Sequence, residues 1–191
     1  MIRAVDLWKT YDGKPVISGF SHEFRTGARY ALMGRSGSGK TTLLRLLMGL
    51  ETPDRGYVET EADLQLSAVF QEDRLFEHLS AIRNITLASG ASSAEAEALL
   101  IKLELPRESL SVPASTLSGG MKRRTALARA LLAPHSVLFL DEPYKGLDPE
   151  TRERVHRLVL QKEAGRTLIL VTHDLADAEG METIRTDGPS A

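Results

Sequence analysis

The chain has 191 residues, and its 24 basic against 26 acidic side chains leave a formal charge of -2, which excludes a generic basic nucleic-acid coat. A chain of this length buries roughly 70 % of the surface its unfolded form exposes, enough for one core with little room for a second. Cysteine is absent, so disulfides, thiolate metal sites and thiol nucleophiles are excluded, and the longest apolar clusters, at 43–50 and 136–140, fall far short of the ~18 residues a membrane span requires.

The N-terminus, Met1 to Trp8, carries Arg3 and Asp6 and has no apolar run of signal-peptide length. Ile2 to Trp8 and Ala28 to Met33 read as short strands, and Tyr11 to Lys14, with Asp-Gly inside, as a hairpin turn. The apolar strand Tyr30-Ala31-Leu32-Met33 stops at Gly34. After a Gly/Ser-rich loop, Leu43, Leu44, Leu46, Leu47 and Leu50 recur at helical spacing. Gly56 to Glu59 and Leu64 to Phe70 read as further strands, after which helix formers dominate, most plainly over Ala94 to Glu104. A helical insert is expected over about 72–135, with small residues from Ala88 to Ala98 reading as a mobile loop that runs into a helix. Ser136 to Leu140 returns to a buried strand, Pro149 to Glu163 to a helix and Thr167 to Thr172 to a second buried strand, the alternation of a parallel sheet. Met181 to Thr186 reads as one more strand, and there is no internal repeat.

The segment Gly34-Arg35-Ser36-Gly37-Ser38-Gly39-Lys40-Thr41 fits G-x-x-x-x-G-K-[ST], between a strand and a helix as the phosphate-binding loop requires. Glycines let successive backbone N–H groups curl toward one point, the helix adds its positive end, Lys40 adds a full charge and the Thr41 hydroxyl can ligate Mg²⁺. A nucleoside triphosphate is the expected ligand. Val137 to Leu140 is an apolar strand that ends in Asp141 and Glu142, where ligands of open α/β sheets bind. Alone this pair would more often be a strand terminus before the Pro143 turn. Beside a phosphate loop it reads as a metal-holding Asp141 and a Glu142 that polarises the attacking water. Leu117-Ser118-Gly119-Gly120-Met121 precedes a long helix with Ser118 as its cap, followed by Lys122, Arg123, Arg124 and Arg129. Cations at a helix N-terminus oppose the macrodipole, so this stretch is either a solvated face or has an anion in front of it.

In this order the motifs resemble the nucleotide-binding subunit of ABC transporters over nearly the whole chain. Tyr11 resembles the aromatic residue that stacks on adenine, 34–42 the Walker A loop ending in Thr42, Gln71 the Q-loop glutamine, and 117–121 the family signature. Asp141 and Glu142 match Walker B, Gly146-Leu147-Asp148 the D-loop and His173 the switch histidine. The resemblance implies a single ABC-type ATPase domain over 1–191, an α/β fold. Its P-loop NTPase core would carry a mixed or parallel sheet, with an N-terminal antiparallel β subdomain and an inserted α-helical subdomain. The β subdomain and core would take about 1–71 and 136–191, and the helical subdomain about 72–135.

It further implies ATP and Mg²⁺ as cofactors and a head-to-tail dimer, homodimeric or heterodimeric, in which each ATP meets one chain's Walker loop and the other's Ser118, Gly119 and Gly120. That would place an anion before the basic helix. Catalysis would rest on Glu142, Lys40, Gln71 and His173, metal binding on Thr41, Gln71 and Asp141, and the D-loop contribution on Asp148. Transmembrane permease subunits and a solute-binding protein are the implied partners, with no direct nucleic acid, at the cytoplasmic face of the cell membrane. Val69 to Phe76 resembles the corresponding region of nitrate, sulfonate and taurine importers, and Leu75, Phe76 and Leu79 are candidates for an apolar docking patch. A soluble, non-transport ABC-type ATPase is the alternative; the spacing of about 100 residues between the Walker motifs leaves no room for the long coiled coils of chromosome-acting relatives. Met121 departs from the usual glutamine and Lys145 from the usual D-loop serine, which leaves activity expected at an altered rate. A chain that stops soon after His173 is expected to have no C-terminal regulatory domain.

Overall fold

Asp12 and Gly13 both take left-handed backbone conformations, φ 49° and 74°, the two-residue turn whose twist matches paired strands, and they join β1 (Ile2–Tyr11) to β2 (Lys14–Phe24). In this computed structural model, which describes residues 1–186, the chain continues through β3 (Arg29–Met33), α1 (Lys40–Leu47), β4 (Arg55–Thr60) and β5 (Leu66–Val69). Three helices follow, α2 (Ala81–Ser89), α3 (Ser93–Lys102) and α4 (Gly119–Leu132), and then β6 (Val137–Asp141), α5 (Pro149–Lys162), β7 (Thr167–Val171) and β8 (Glu182–Arg185). The strands form a three-stranded antiparallel sheet of order β2-β1-β4 and a five-stranded sheet of order β5-β6-β7-β3-β8 whose neighbours all run parallel.

Every residue of β6 and β7 is buried, as a parallel sheet covered on both faces demands. Alternation sorts their side chains. Val137, Phe139, Ile169 and Val171 pack with Tyr30, Leu32, the leucines of α1 and the inner face of the antiparallel sheet. Leu138, Leu140, Leu168 and Leu170 face the other way, against α2, α3, α4 and α5. The small residues from Ala88 to Ala98, expected as a mobile loop running into a helix, do run into one, but the connection is only three residues, 90–92. α2 runs to Ser89, Gly90 closes it in a left-handed cap, and Ser92 with Glu95 forms a reciprocal capping box that starts α3. Alanine favours helix and serine favours caps, so composition alone misjudged the stretch.

Parallel order places four chain crossings at one edge of the sheet. β3 ends at the phosphate loop, β6 at Asp141, β7 at the run into His173 and β5 just before Gln71, with β7 lying between the two Walker strands. The opposite edge is held by a fully buried pair: His135 Nε2 lies 2.9 Å from Glu163 Oε2 and Nδ1 2.7 Å from the Ala133 carbonyl. Both ring nitrogens face acceptors, so the charged imidazolium satisfies the geometry. Burial opposes that charge, but the Glu163 and Ala133 hydrogen bonds and the carboxylate's field outweigh it, against a smaller repulsion from Arg166, and the His135 pKa is raised above 6.5. Stabilisation from this pair is therefore complete below about pH 6.5 and is lost as pH rises through the raised folded value. Thermal melts recorded across that range should show the midpoint falling by a few degrees, at about 2–4 °C per kcal/mol for a chain of this size, and the pH dependence should flatten in His135→Gln.

Candidate active site

The phosphate loop is closed by its own lysine. Lys40 Nζ donates to the carbonyls of Gly34 at 2.8 Å and Arg35 at 2.9 Å, and an ammonium has one more proton to offer. Gly39, the α1 cap at φ 88°, is left-handed, and a Cβ there would stand 2.8 Å from the Val16 carbonyl. A Cβ on Gly34 would meet Ser38 Oγ and the Thr186 carbonyl, each at 2.5 Å. The loop thus lies wedged between β2 and the chain leaving β8, and Ser38 Oγ bonds the Thr186 hydroxyl at 2.9 Å.

Above it is a cavity of about 180 Å³, walled by Ser36, Gly37, Gly39, Lys40, Thr41 and Thr42 of the loop, with Gln71 and Glu142 opposite and Val16 at the side. Thr41 Oγ1 donates to Asp141 Oδ2 at 2.8 Å, and Gln71 Nε2 donates to Thr41 Oγ1 at 3.4 Å. Asp141 is 1 % exposed, and its Oδ1 is buried with no partner. Burial, with the Glu142 charge adding to it, pushes the Asp141 carboxyl up against the pull of its hydrogen bond from Thr41 and the neighbouring Gln71 amide. An orphaned carboxylate oxygen among hard oxygen donors fits a small divalent cation.

Glu142 sits at φ 48°, a left-handed conformation that costs a non-glycine residue roughly 1–2 kcal/mol. Its backbone is held on both sides: N–H donates to the Val171 carbonyl at 3.0 Å, and its carbonyl accepts from Arg123 Nη2 at 3.1 Å. The carboxylate points between Lys145 Nζ, 3.7 Å away, and His173 Nδ1, 3.9 Å away. The His173 side chain is 71 % exposed.

Other residues singled out in the sequence lie elsewhere. Ser118 caps α4 by accepting from the Met121 N–H at 3.3 Å, and with Gly119 it is exposed, away from the walls of this chain's own phosphate cavity. Asp148 caps α5 through the Thr151 N–H at 2.9 Å, which holds its carboxyl below the ordinary range. The exposed Tyr11 hydroxyl bonds Glu51, and Lys9 Nζ stands 5.6 Å from its ring centroid. Of the expected apolar patch only Phe76 is exposed, Leu75 packing against the core and Leu79 being half-buried.

The arginines of the basic stretch of α4 do not form a solvated face but are turned onto the backbone of other segments. Arg124 Nη1 donates to the carbonyls of Leu103 and Glu104, and Arg129 donates to those of Asp73 and Arg74. Arg123 is 4 % exposed and binds the Phe70 carbonyl, Asp73 Oδ1 and the Glu142 carbonyl, so one guanidinium joins α4, the Gln71 loop and the acidic strand end. Nothing in the residue pattern assigned these roles to Arg123, nor to Val16, nor to the fully buried Asn84, whose amide bonds Phe76, Leu79 and Ser80 and shapes the loop after Gln71. A cleft of about 740 Å³ lies elsewhere, between α5 and residues 174–179, and contains no phosphate-loop residue.

A phosphate loop facing an acidic strand end across one intervening strand defines a P-loop nucleoside triphosphatase. Comparison with known proteins narrows the class. The ABC transporter family model matches residues 17–145. An aliphatic sulfonates import ATP-binding protein SsuB 1 from Rhizobium johnstonii is 39 % identical over 93 % of this chain and 69 % of its own length, and one from Pseudomonas fluorescens is 42 % identical over 90 % and 67 %. Among solved structures, the dimeric post-hydrolysis state of the ATP-binding cassette MJ0796 bound to ADP and Pi superposes with a TM-score of 0.85 at 28 % identity, covering 97 % of this chain and 94 % of that one. The chain belongs to the ABC transporter family, as an ATP-binding and ATP-hydrolysing subunit.

Replacing Arg123 by Met would strand two carbonyls and a half-buried carboxylate. Urea unfolding should show a loss of about 3 kcal/mol, and a loss near zero would contradict the assigned bonds.

Proposed function

We propose that the chain hydrolyses ATP in the cavity between the phosphate loop and Glu142 to drive import of an organosulfonate-type solute by membrane permease subunits. The observation that carries the catalytic reading is the convergence of Lys40, Thr41, Gln71 and Glu142 on one cavity, with the orphaned Asp141 oxygen beside it. Lys40 and the loop N–H groups bind the β- and γ-phosphates. Thr41, Asp141 and Gln71 hold Mg²⁺, which when bound neutralises developing phosphate charge. Glu142 accepts the proton of the attacking water. The exposed His173, beside Glu142, reaches the γ-phosphate, and Tyr11 stacks on adenine.

Ser118 and Gly119, exposed at the start of α4, and the half-buried Gly120 meet the ATP of a second ATPase subunit, as the dimeric assembly of similar cassettes suggests. Asp148 lies in the loop facing that second subunit. The solute class and the direction of transport come from the names of relatives about 40 % identical. The names of those relatives also support a peripheral position on permease subunits at the cytoplasmic face, with a solute-binding protein delivering cargo; no helix among the described residues is long and apolar enough to cross a membrane.

Glu142→Gln should keep ATP affinity while turnover falls by about a hundredfold or more, and Lys40→Ala should weaken ATP binding by about 10–100-fold in equilibrium titration. Normal turnover in the first, or unchanged affinity in the second, would remove the corresponding role. Copurification of a multi-span protein from detergent extracts, and stimulation of ATPase by a sulfonate rather than nitrate, test the transport reading.

A further inference from the structure

His173 has almost nothing of its own to hold it. Its ring is largely exposed, and Glu142 at 3.9 Å is its recorded ion-pair neighbour. The residues on either side of it are bound far more tightly. Arg152, in the first turn of α5, donates from Nε and Nη2 to Asp177 Oδ1 and Oδ2 at 3.0 and 2.6 Å, and its Nη1 stands 2.7 Å from Asp174 Oδ2. Asp177 is 4 % exposed, and its Oδ2 also accepts from Thr172 Oγ1 at 2.7 Å. The same hydroxyl accepts from the Asp174 N–H at 3.1 Å. Thr172 and Asp174, immediately before and after His173, are thus tied to each other and to one guanidinium.

The fork is placed to be felt at the reaction centre. Arg152 and Asp177 line the small pocket that also holds Glu142, Lys145 and His173, and on their other side they line the large cleft against α5. α5 is itself fastened to the segment after Glu142, since the half-buried His156 Nδ1 lies 3.1 Å from the hydroxyl of buried Tyr144. A planar guanidinium can engage two carboxylates at once in fixed directions, which an ammonium cannot.

We propose that Arg152 is a positioning residue for ATP hydrolysis: by clamping Asp174 and Asp177 together it holds His173 opposite Glu142. This rests on the role given to His173 above, and that role is tested in the same series.

ATP turnover of the purified full chain with Mg²⁺ is measured for Arg152→Lys, Asp174→Asn and His173→Ala, and for each clamp substitution combined with His173→Ala, with thermal melts to verify folding. Arg152→Lys should lower kcat about tenfold with KM for ATP within about twofold, because a displaced catalytic group costs rate rather than ground-state binding. In the His173→Ala background the same substitution should have no further effect on kcat. Should Arg152→Lys fail to fold, Asp174→Asn, which leaves the Asp177 pair intact, is read by the same two criteria. Normal kcat in the folded clamp variants beside a slow His173→Ala chain overturns the proposal alone, as does an undiminished loss in the His173→Ala background. A His173→Ala chain that turns over normally overturns the histidine's role and the clamp's with it.

Discussion

The hydrogen bond from Thr41 to Asp141 spans the strand that separates them and joins the first turn of α1 to the end of β6. Burying a carboxylate is costly, and this one is buried with one oxygen satisfied and the other empty-handed. A side chain in that state keeps an unused acceptor beside Thr41 at the head of α1. On the loop side, the Lys40 ammonium holds the carbonyls of Gly34 and Arg35 in place. Preorganised charge of this kind needs no rearrangement at the moment of reaction.

The arginines of α4 show how a sequence that looks wrong for a helix start becomes right in three dimensions. Cations near an N-terminus oppose the macrodipole, yet the guanidinia of Arg123 and Arg124 in the first turns, like that of Arg129 in the last, are turned onto backbone carbonyls of other segments. Arg123 matters most for mechanics. It holds the carbonyl just before Gln71 and the carbonyl of Glu142 in one hand, so any rotation of α4 pulls on both the Gln71 loop and the end of the acidic strand.

Phosphate chemistry dictates residue type and spacing, which is why the loop 34–42 and the pair Asp141-Glu142 were legible as a site from the chain alone. The alternating apolar runs made β6 and β7 legible as buried strands for the same reason, since a covered parallel sheet leaves no polar positions. What stayed hidden depended on partners remote in sequence. Arg123 reaches a carbonyl 53 residues away, and no local pattern distinguishes it from Lys122 beside it. Asp148 and Ser118 read as nucleotide contacts in the sequence, while within one chain each visibly caps a helix. Strand order was likewise beyond local pattern, since nothing in residues 167–171 announces that β7 lies between β3 and β6.

The wall behind Gly34 carries a consequence for how such fingerprints arise. Alanine is barred there by the carbonyl and hydroxyl of Thr186, which fill the space from the rear, together with the loop's own Ser38 hydroxyl. The first letter of the nucleotide motif is therefore written in part by the sheet's own outermost seam, and a homologue that rerouted its chain after β8 would keep only the Ser38 hydroxyl, the end of a rotatable side chain, as the obstacle there.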